Sequence, residues 1–300
     1  MKTFKQFLLE AKEATSKYKK GEFGYWWTEI EGHEDIEGRV YGGRIDCHDE
    51  YLTSLKGCPK EVKGYFHCYE NELKSLEYAP QKVGGDFVCY ENELTSLKGC
   101  PKEVGGYFSC RNNKLTSLEG APQNVGGDFI CGWNRLVSLD GAPKIIERNF
   151  DCRFNKLTSL KGAPQKVNDG FYCIENQLKS LEGAPKEVGG DFDCRFNKLT
   201  SLEGAPKEVK GKFNCGRNQL TTLEGAPKVV GEFNCYYNKL TSLKGAPEKV
   251  KGYFRCQENK LTSLEGCPTQ VGNFVCDDNK KKFTEDEVRS LCKVKDEVSV

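Results

Sequence analysis

The sequence predicts a β-rich solenoid, a stack of about 11–12 coils of 20–21 residues with parallel strands, on three observations. Cysteines recur at Cys47, Cys68, Cys89, Cys110, Cys131, Cys152, Cys173, Cys194, Cys215, Cys235, Cys256 and Cys276, a spacing of 21 with two steps of 20. An apolar residue stands two places before each, Ile45 and then phenylalanine from Phe66 to Phe274. Three places after every cysteine but the first comes an asparagine, from Asn71 to Asn279. So short a unit cannot bury a core of its own; it folds by stacking on its neighbours, and the stack needs a lid at each end.

The copy beginning at Phe192 shows how each position works. Phe192 and Cys194 are two apart in an extended segment, so both face inward. Asn197 stands where the strand must turn, and a buried carboxamide can satisfy loop backbone groups of its own and the next coil. Leu199 and Leu202 then turn inward, Gly204 and Pro206 bar a helix on the far side, and Val209 returns the chain to the core.

This pattern resembles the leucine-rich repeat, most of all the short class of bacterial secreted effectors, whose turn is similar to Asn197, Lys198, Leu199, Thr200, Ser201, Leu202. The resemblance covers roughly residues 41 to 282. Phenylalanine and cysteine replace the usual aliphatic pair in the strand, and Gly-Ala-Pro replaces a proline-leucine turn. The solenoid is expected over 45–282, with an N-terminal cap over 21–44 built on Tyr25, Trp26, Trp27, Ile30, Ile36, Val40 and Tyr41. Residues 283–300 should close the other end. There Thr284 and Glu287 form a capping box and Phe283 and Val288 a hydrophobic staple, predicting a helix over about 285–293, with Leu291 and Cys292 closing the core.

Composition narrows the function. A formal net charge of +1 and 30% charged residues, without an apolar run of about 18, point to neither membrane insertion nor polyanion binding. Twelve of the 16 cysteines hold one structural position; Cys58, Cys100 and Cys267 stand where most repeats have alanine, and Cys292 follows the last coil. No pair has the spacing of a structural zinc site, so the thiols read as small buried apolar groups in a reducing compartment, and no metal or cofactor is expected. The only histidines are His33, His48 and His67, and no serine or cysteine sits beside a plausible base, so no catalytic residue is assigned.

Residues 1–20 differ from the repeats, with Phe4, Phe7, Leu8, Ala11, Ala14 and Tyr18 at helical spacing and no apolar centre of a secretory signal. Met1, Lys2, Thr3, Phe4, Lys5, Gln6, Phe7, Leu8, Leu9, Glu10 resembles the capsid-targeting leader of internal head proteins in large tailed phages. That resemblance implies a cut after Glu10, before Ala11, and a location in the virion or host bacterial cytoplasm.

What varies among repeats is the surface just after each cysteine, and variation on a fixed scaffold is where recognition lives. Aromatic and arginine side chains dominate protein interfaces, so Arg111, Trp133, Arg153, Phe154, Arg195, Phe196, Tyr236 and Tyr237 form the candidate protein-binding patch. Acidic residues in the neighbouring column argue against nucleic acid. The expected protein is a monomeric, non-enzymatic binding scaffold associated with a phage virion. The alternatives are a spacer or decoration rod without a binding face, and a secreted bacterial effector or adhesin.

Overall fold

The computed structural model describes residues 16–300. They form two compact units: the first runs to Arg135 and takes in Gly141–Pro143, and the second comprises Leu136–Asp140 and Lys144–Val300. Each unit is a parallel-strand solenoid.

In the first unit the two-residue strands Ile45–Asp46, Phe66–His67, Phe87–Val88, Phe108–Ser109 and Phe129–Ile130 lie side by side in register. In the second unit Phe150–Asp151, Phe171–Tyr172, Phe192–Asp193, Lys212–Asn214, Glu232–Asn234, Lys249–Arg255 and Gln270–Val275 continue the same pattern. Because register places like on like, the phenylalanines stack in rows. Phe66 and Phe87 have centroids 5.7 Å apart at 11°, and Phe171 and Phe192 are 5.5 Å apart at 8°. These rings, the cysteines behind them and the paired leucines are buried throughout. Offset stacking adds about 0.5–1.5 kcal/mol per pair to the area each ring removes from water.

A second row of strands, absent from the sequence expectation, runs along another side of each coil. Glu61–Val62, Lys82–Val83, Glu103–Val104 and Asn124–Val125 pair in the first unit, and Ile145–Ile146, Lys166–Val167, Glu187–Val188 and Glu208–Val209 in the second. Their valines, with Ile146, face the core. A corner that usually contains glycine, such as Gly189-Gly190, separates the two rows in most coils; in the copies with 20-residue spacing it shortens to the single Gly231 or Gly272. In the last two coils the rows merge, and Lys249–Arg255 and Gln270–Val275 run as long strands with a bulge between Val250 and Tyr253, while Val229–Val230 and Glu232–Asn234 stay separate.

The asparagines from Asn71 to Asn259 are buried and Asn279 is half-buried, and each ties two coils together. Asn71 Oδ1 accepts from Leu52 N at 2.8 Å and Glu50 N at 3.1 Å, while its Nδ2 donates to Cys47 O at 2.8 Å and Cys68 O at 3.2 Å. The coil it reaches is the preceding one, not the next. The side chain projects back toward the turn already formed, where the leucine N–H has no backbone acceptor. The cysteines are also tied: Cys47 Sγ donates to His67 O at 3.2 Å and Cys152 Sγ to Tyr172 O at 3.4 Å.

Both lids depart in detail from expectation. Phe23, fully buried, is the N-terminal plug: it lies 6.1 Å from Phe66 and stacks on Trp27 at 5.7 Å, in a short helix Phe23–Tyr25 that continues as a π-helical turn over Trp26–Ile30. Tyr25, Trp26 and Trp27 are buried as expected, but Ile30 is 51% and Val40 57% exposed. Ile30 ends the turn, and Val40 sits on the outward side of the edge strand Val40–Tyr41. At the other end the helix spans Glu285–Leu291 with the capping box formed: Glu287 N donates to Thr284 Oγ1 at 3.2 Å and Thr284 N to Glu287 at 3.0 Å. Val288 and Cys292 close the core, whereas Leu291 points out at 58% exposure. The helix stops early because Lys293–Val294 and Val298–Ser299 return as parallel strands along Gln270–Val275.

Candidate functional site

The strand ends just before its cysteine, and two residues after the cysteine the chain passes through one left-handed residue. Asp49, Glu70, Glu91, Asn112, Trp133, Phe154, Glu175, Phe196, Arg217, Tyr237, Glu258 and Asp278 all have φ between 49° and 56°. The turn fixes this geometry by directing the N–H of that residue to a carbonyl of the next coil, as in Glu175 N to Arg195 O at 3.1 Å. Asparagine tolerates such a backbone; bulky side chains pay about 1 kcal/mol there.

The eight candidate residues therefore fall in two columns. Arg111, Arg153, Arg195 and Tyr236 follow the cysteine directly; Trp133, Phe154, Phe196 and Tyr237 occupy the left-handed turn rather than the strand itself. The turn aromatics are open, with Trp133, Phe154 and Phe196 each 39% and Tyr237 42% exposed.

In the second unit the arginines of the first column are held by acids of their own strand. Arg153 Nε lies 2.8 Å from Asp151, and Arg195 grips Asp193 with Nε and Nη2 at 3.0 and 2.8 Å. Both aspartates are buried, which makes each a charge-assisted pair and not a loose surface contact. The Asp193 carboxylate holds the Arg195 guanidinium firmly charged, with a hydrogen bond to Tyr236 adding to it. Tyr236 reaches Arg195 from two coils away because Gly216 lies between them. A Cβ there would meet the Tyr236 ring at 2.8 Å. In the second column Arg217 stands between Phe196 and Tyr237, its guanidinium 5.2 and 4.3 Å from their centroids. Tyr236 and Tyr237 meet edge-on at 5.9 Å. Phe154 belongs to the same turn column as Phe196, with Glu175 between them in the series.

The first unit holds a different arrangement. His48, Tyr69 and Tyr90 stack at 4.6 and 4.5 Å, and Arg111 lies over Tyr90 at 4.7 Å. A shallow cleft of about 310 Å³ opens beside it, lined by Tyr90, Tyr107, Ser109, Arg111, Asp128 and Ile130. His48 is hydrogen-bonded to Asp46 at 2.7 Å, which raises its pKa, while burial between Tyr65 and Tyr69 lowers that of His67. Sequence reasoning set out both columns but passed over Tyr69, Tyr90, Gly216 and Arg217. The signal available was periodicity, since each occupies the same place in its repeat as a chosen residue.

Among the described residues no group of three or more histidine, cysteine or acidic side chains is arranged to hold a metal, and no helix is long and apolar enough to cross a membrane. Parallel strands, an inward leucine pair and, from the second coil on, a back-reaching asparagine give the chain the fold of a leucine-rich-repeat solenoid. No protein-family model matches the chain, and no curated protein matches it. Among solved structures it is similar to YopM from Yersinia enterocolitica, with 17% identity, a TM-score of 0.49, and 93% of this chain and 78% of that one covered. YopM from Yersinia pestis shares 15% identity at a TM-score of 0.43, with all of both chains covered. The functional domain of InlJ from Listeria monocytogenes, which includes a cysteine ladder, shares 18% identity at a TM-score of 0.43, covering 78% of this chain and 68% of that one.

Proposed function

We infer that the protein is a non-enzymatic scaffold that binds another protein through the columns following its cysteines. One observation carries this reading: Trp133, Phe154, Phe196 and Tyr237 are exposed aromatic side chains on left-handed backbone, where asparagine would cost less. Exposed aromatic side chains held on strained backbone present their open faces to a partner, beside the contacts that Phe196 and Tyr237 make with Arg217. The paired arginines beside them supply the charged, pre-ordered component common at interfaces.

The test replaces all four turn aromatics with asparagine. Folding stability should hold or rise, because asparagine suits the turn. Crosslinking capture from host-cell extract, quantified by mass spectrometry, should lose a specific partner that the parent chain retains. An unchanged capture profile refutes the binding face and favours a spacer or decoration rod.

The finer reading, a virion-associated protein of a tailed phage acting on a host or phage protein, is supported by the leader sequence ending at Glu10, which lies outside the described residues. Chains from purified particles should begin at Ala11; an intact Met1 there, or absence from particles, overturns it. A secreted effector or adhesin would be recovered outside the producing cell.

A further inference from the structure

Fifteen of the sixteen cysteines are buried, and Cys267 alone is partly open. It sits in the Gly266-Cys267-Pro268 turn of the last full coil, where Cys267 N donates to Leu264 O at 3.0 Å. Cys292 ends the closing helix Glu285–Leu291, with its N–H on Val288 O at 3.0 Å. From there the chain runs straight into Lys293–Val294, which pairs in parallel with Gln270 and Val271, and Lys293 N donates to Thr269 O at 3.1 Å. This register sets Cys292 opposite Thr269, two residues beyond Cys267, and brings the two thiols close enough to influence each other's ionisation. Neither belongs to the cysteine ladder, where in-register strands aim successive thiols the same way.

We propose that Cys267 and Cys292 are a redox pair, oxidised by a soluble low-molecular-weight disulfide to a crosslink that fastens the closing helix to the last coil. The chemistry divides between the two sulfurs. The neighbouring Cys292 lowers the pKa of Cys267, whereas Cys267 and burial push that of Cys292 up; ladder thiols such as Cys256 and Cys276 are raised by burial. Cys267 is thus the thiolate, and the accessible one. It attacks one sulfur of the soluble disulfide, forming a mixed disulfide and expelling one thiolate, which takes up the Cys267 proton from solvent. Cys292 then loses its proton and attacks the Cys267 sulfur, forming the Cys267–Cys292 bond and expelling the second thiolate. Two protein thiols are oxidised by two electrons, and one disulfide is reduced to two thiols.

The folded full chain, incubated with oxidised glutathione, decides it by peptide mass spectrometry. The expected product joins the Cys267 and Cys292 peptides, and iodoacetamide should label Cys267 roughly tenfold or more faster than any ladder cysteine. Cys292→Ala should stop the reaction at glutathionylated Cys267. Cys267→Ala, a residue that other coils carry at Ala184 and Ala205, should abolish adduct and crosslink alike while the circular dichroism spectrum stays unchanged. A lasting glutathione adduct at Cys267 in the parent chain overturns the proposal. So does labelling of Cys267 no faster than the ladder, or a crosslink that survives Cys267→Ala.

Discussion

Asn176→Ala measures what the asparagine ladder contributes. Asn176 Oδ1 accepts from Leu157 N at 3.0 Å, and its Nδ2 lies 3.1, 3.1 and 3.3 Å from Cys152 O, Cys173 O and Ile174 O. The three carbonyls keep other donors. Asn155 Nδ2 reaches Cys152 O at 3.1 Å, Asn197 Nδ2 reaches Cys173 O at 3.0 Å, and Phe154 N reaches Ile174 O at 2.9 Å. Alanine therefore strands one buried donor, the Leu157 N–H, for about 1–3 kcal/mol, and the weakened carbonyl contacts add about 1 kcal/mol. Urea denaturation followed by circular dichroism should show the midpoint falling with an unchanged slope. Asn176→Asp should cost more at neutral pH, because a carboxylate only accepts and would face three carbonyls. Its pKa in the fold is then raised, so the loss is full above that raised pKa, shrinks as pH falls through it and is gone below the ordinary carboxylate range, where the protonated acid donates again. A loss below about 0.5 kcal/mol for alanine, or an aspartate variant as stable as alanine at pH 7, would falsify the view that the amide acts as a donor and acceptor between coils.

Tyr78 has φ 69° where Gly57, Gly99 and Gly120 have 96°, 89° and 88°, and it is 55% exposed, so Tyr78→Gly should stabilise by about 1 kcal/mol in the same assay. Gly204→Ala should destabilise by more than that, since its φ is +83° and its new Cβ would sit 2.6 Å from Glu182 N. Cys152→Ser should cost only about 1 kcal/mol, because the hydroxyl inherits Tyr172 O as its acceptor; a loss above about 3 would show that the carbonyl is out of reach. Proton NMR should find His48 titrating above and His67 below the usual midpoint of about 6.5. Neutral His67 favours the fold, so its contribution is full above that midpoint and is lost as pH falls through the pKa it has in the fold; His67→Phe should reduce the acid-induced loss.

The core was legible because phenylalanine, cysteine and leucine recur with a fixed period, and the capping box because Thr284 and Glu287 have a mechanism tied to their spacing. Glu187–Val188 and its equivalents escaped notice since a two-residue strand offers no alternation to read. The left-handed column was hidden because glutamate, tryptophan, phenylalanine and arginine all fill it; only Asn112, Asp49 and Asp278 hint at the backbone. Ile30, Val40 and Leu291 show the limit of reading apolar residues as core near an end, where the edge has one covered side. Phe23, set between Glu22 and Gly24 ahead of the Tyr25-Trp26-Trp27 run, was not counted with that run, yet it is the plug. The arginines were chosen as interface residues for their type, but Asp151 and Asp193, two residues upstream, determine how Arg153 and Arg195 are held.

The asparagine bonds also give the stack a direction of growth. Each carboxamide serves the leucine N–H of the coil made before it, as Asn92 serves Leu73 and Asn259 serves Leu240. The first coil carries Glu50 in place of asparagine, and no earlier coil stands behind it to be served. A chain leaving the ribosome thus exposes one unmet donor at its newest turn, and the next asparagine to emerge satisfies it. Synthesis from the amino end and completion of the hydrogen bonds run in the same order, and a nascent chain halted between coils carries a single unfinished turn.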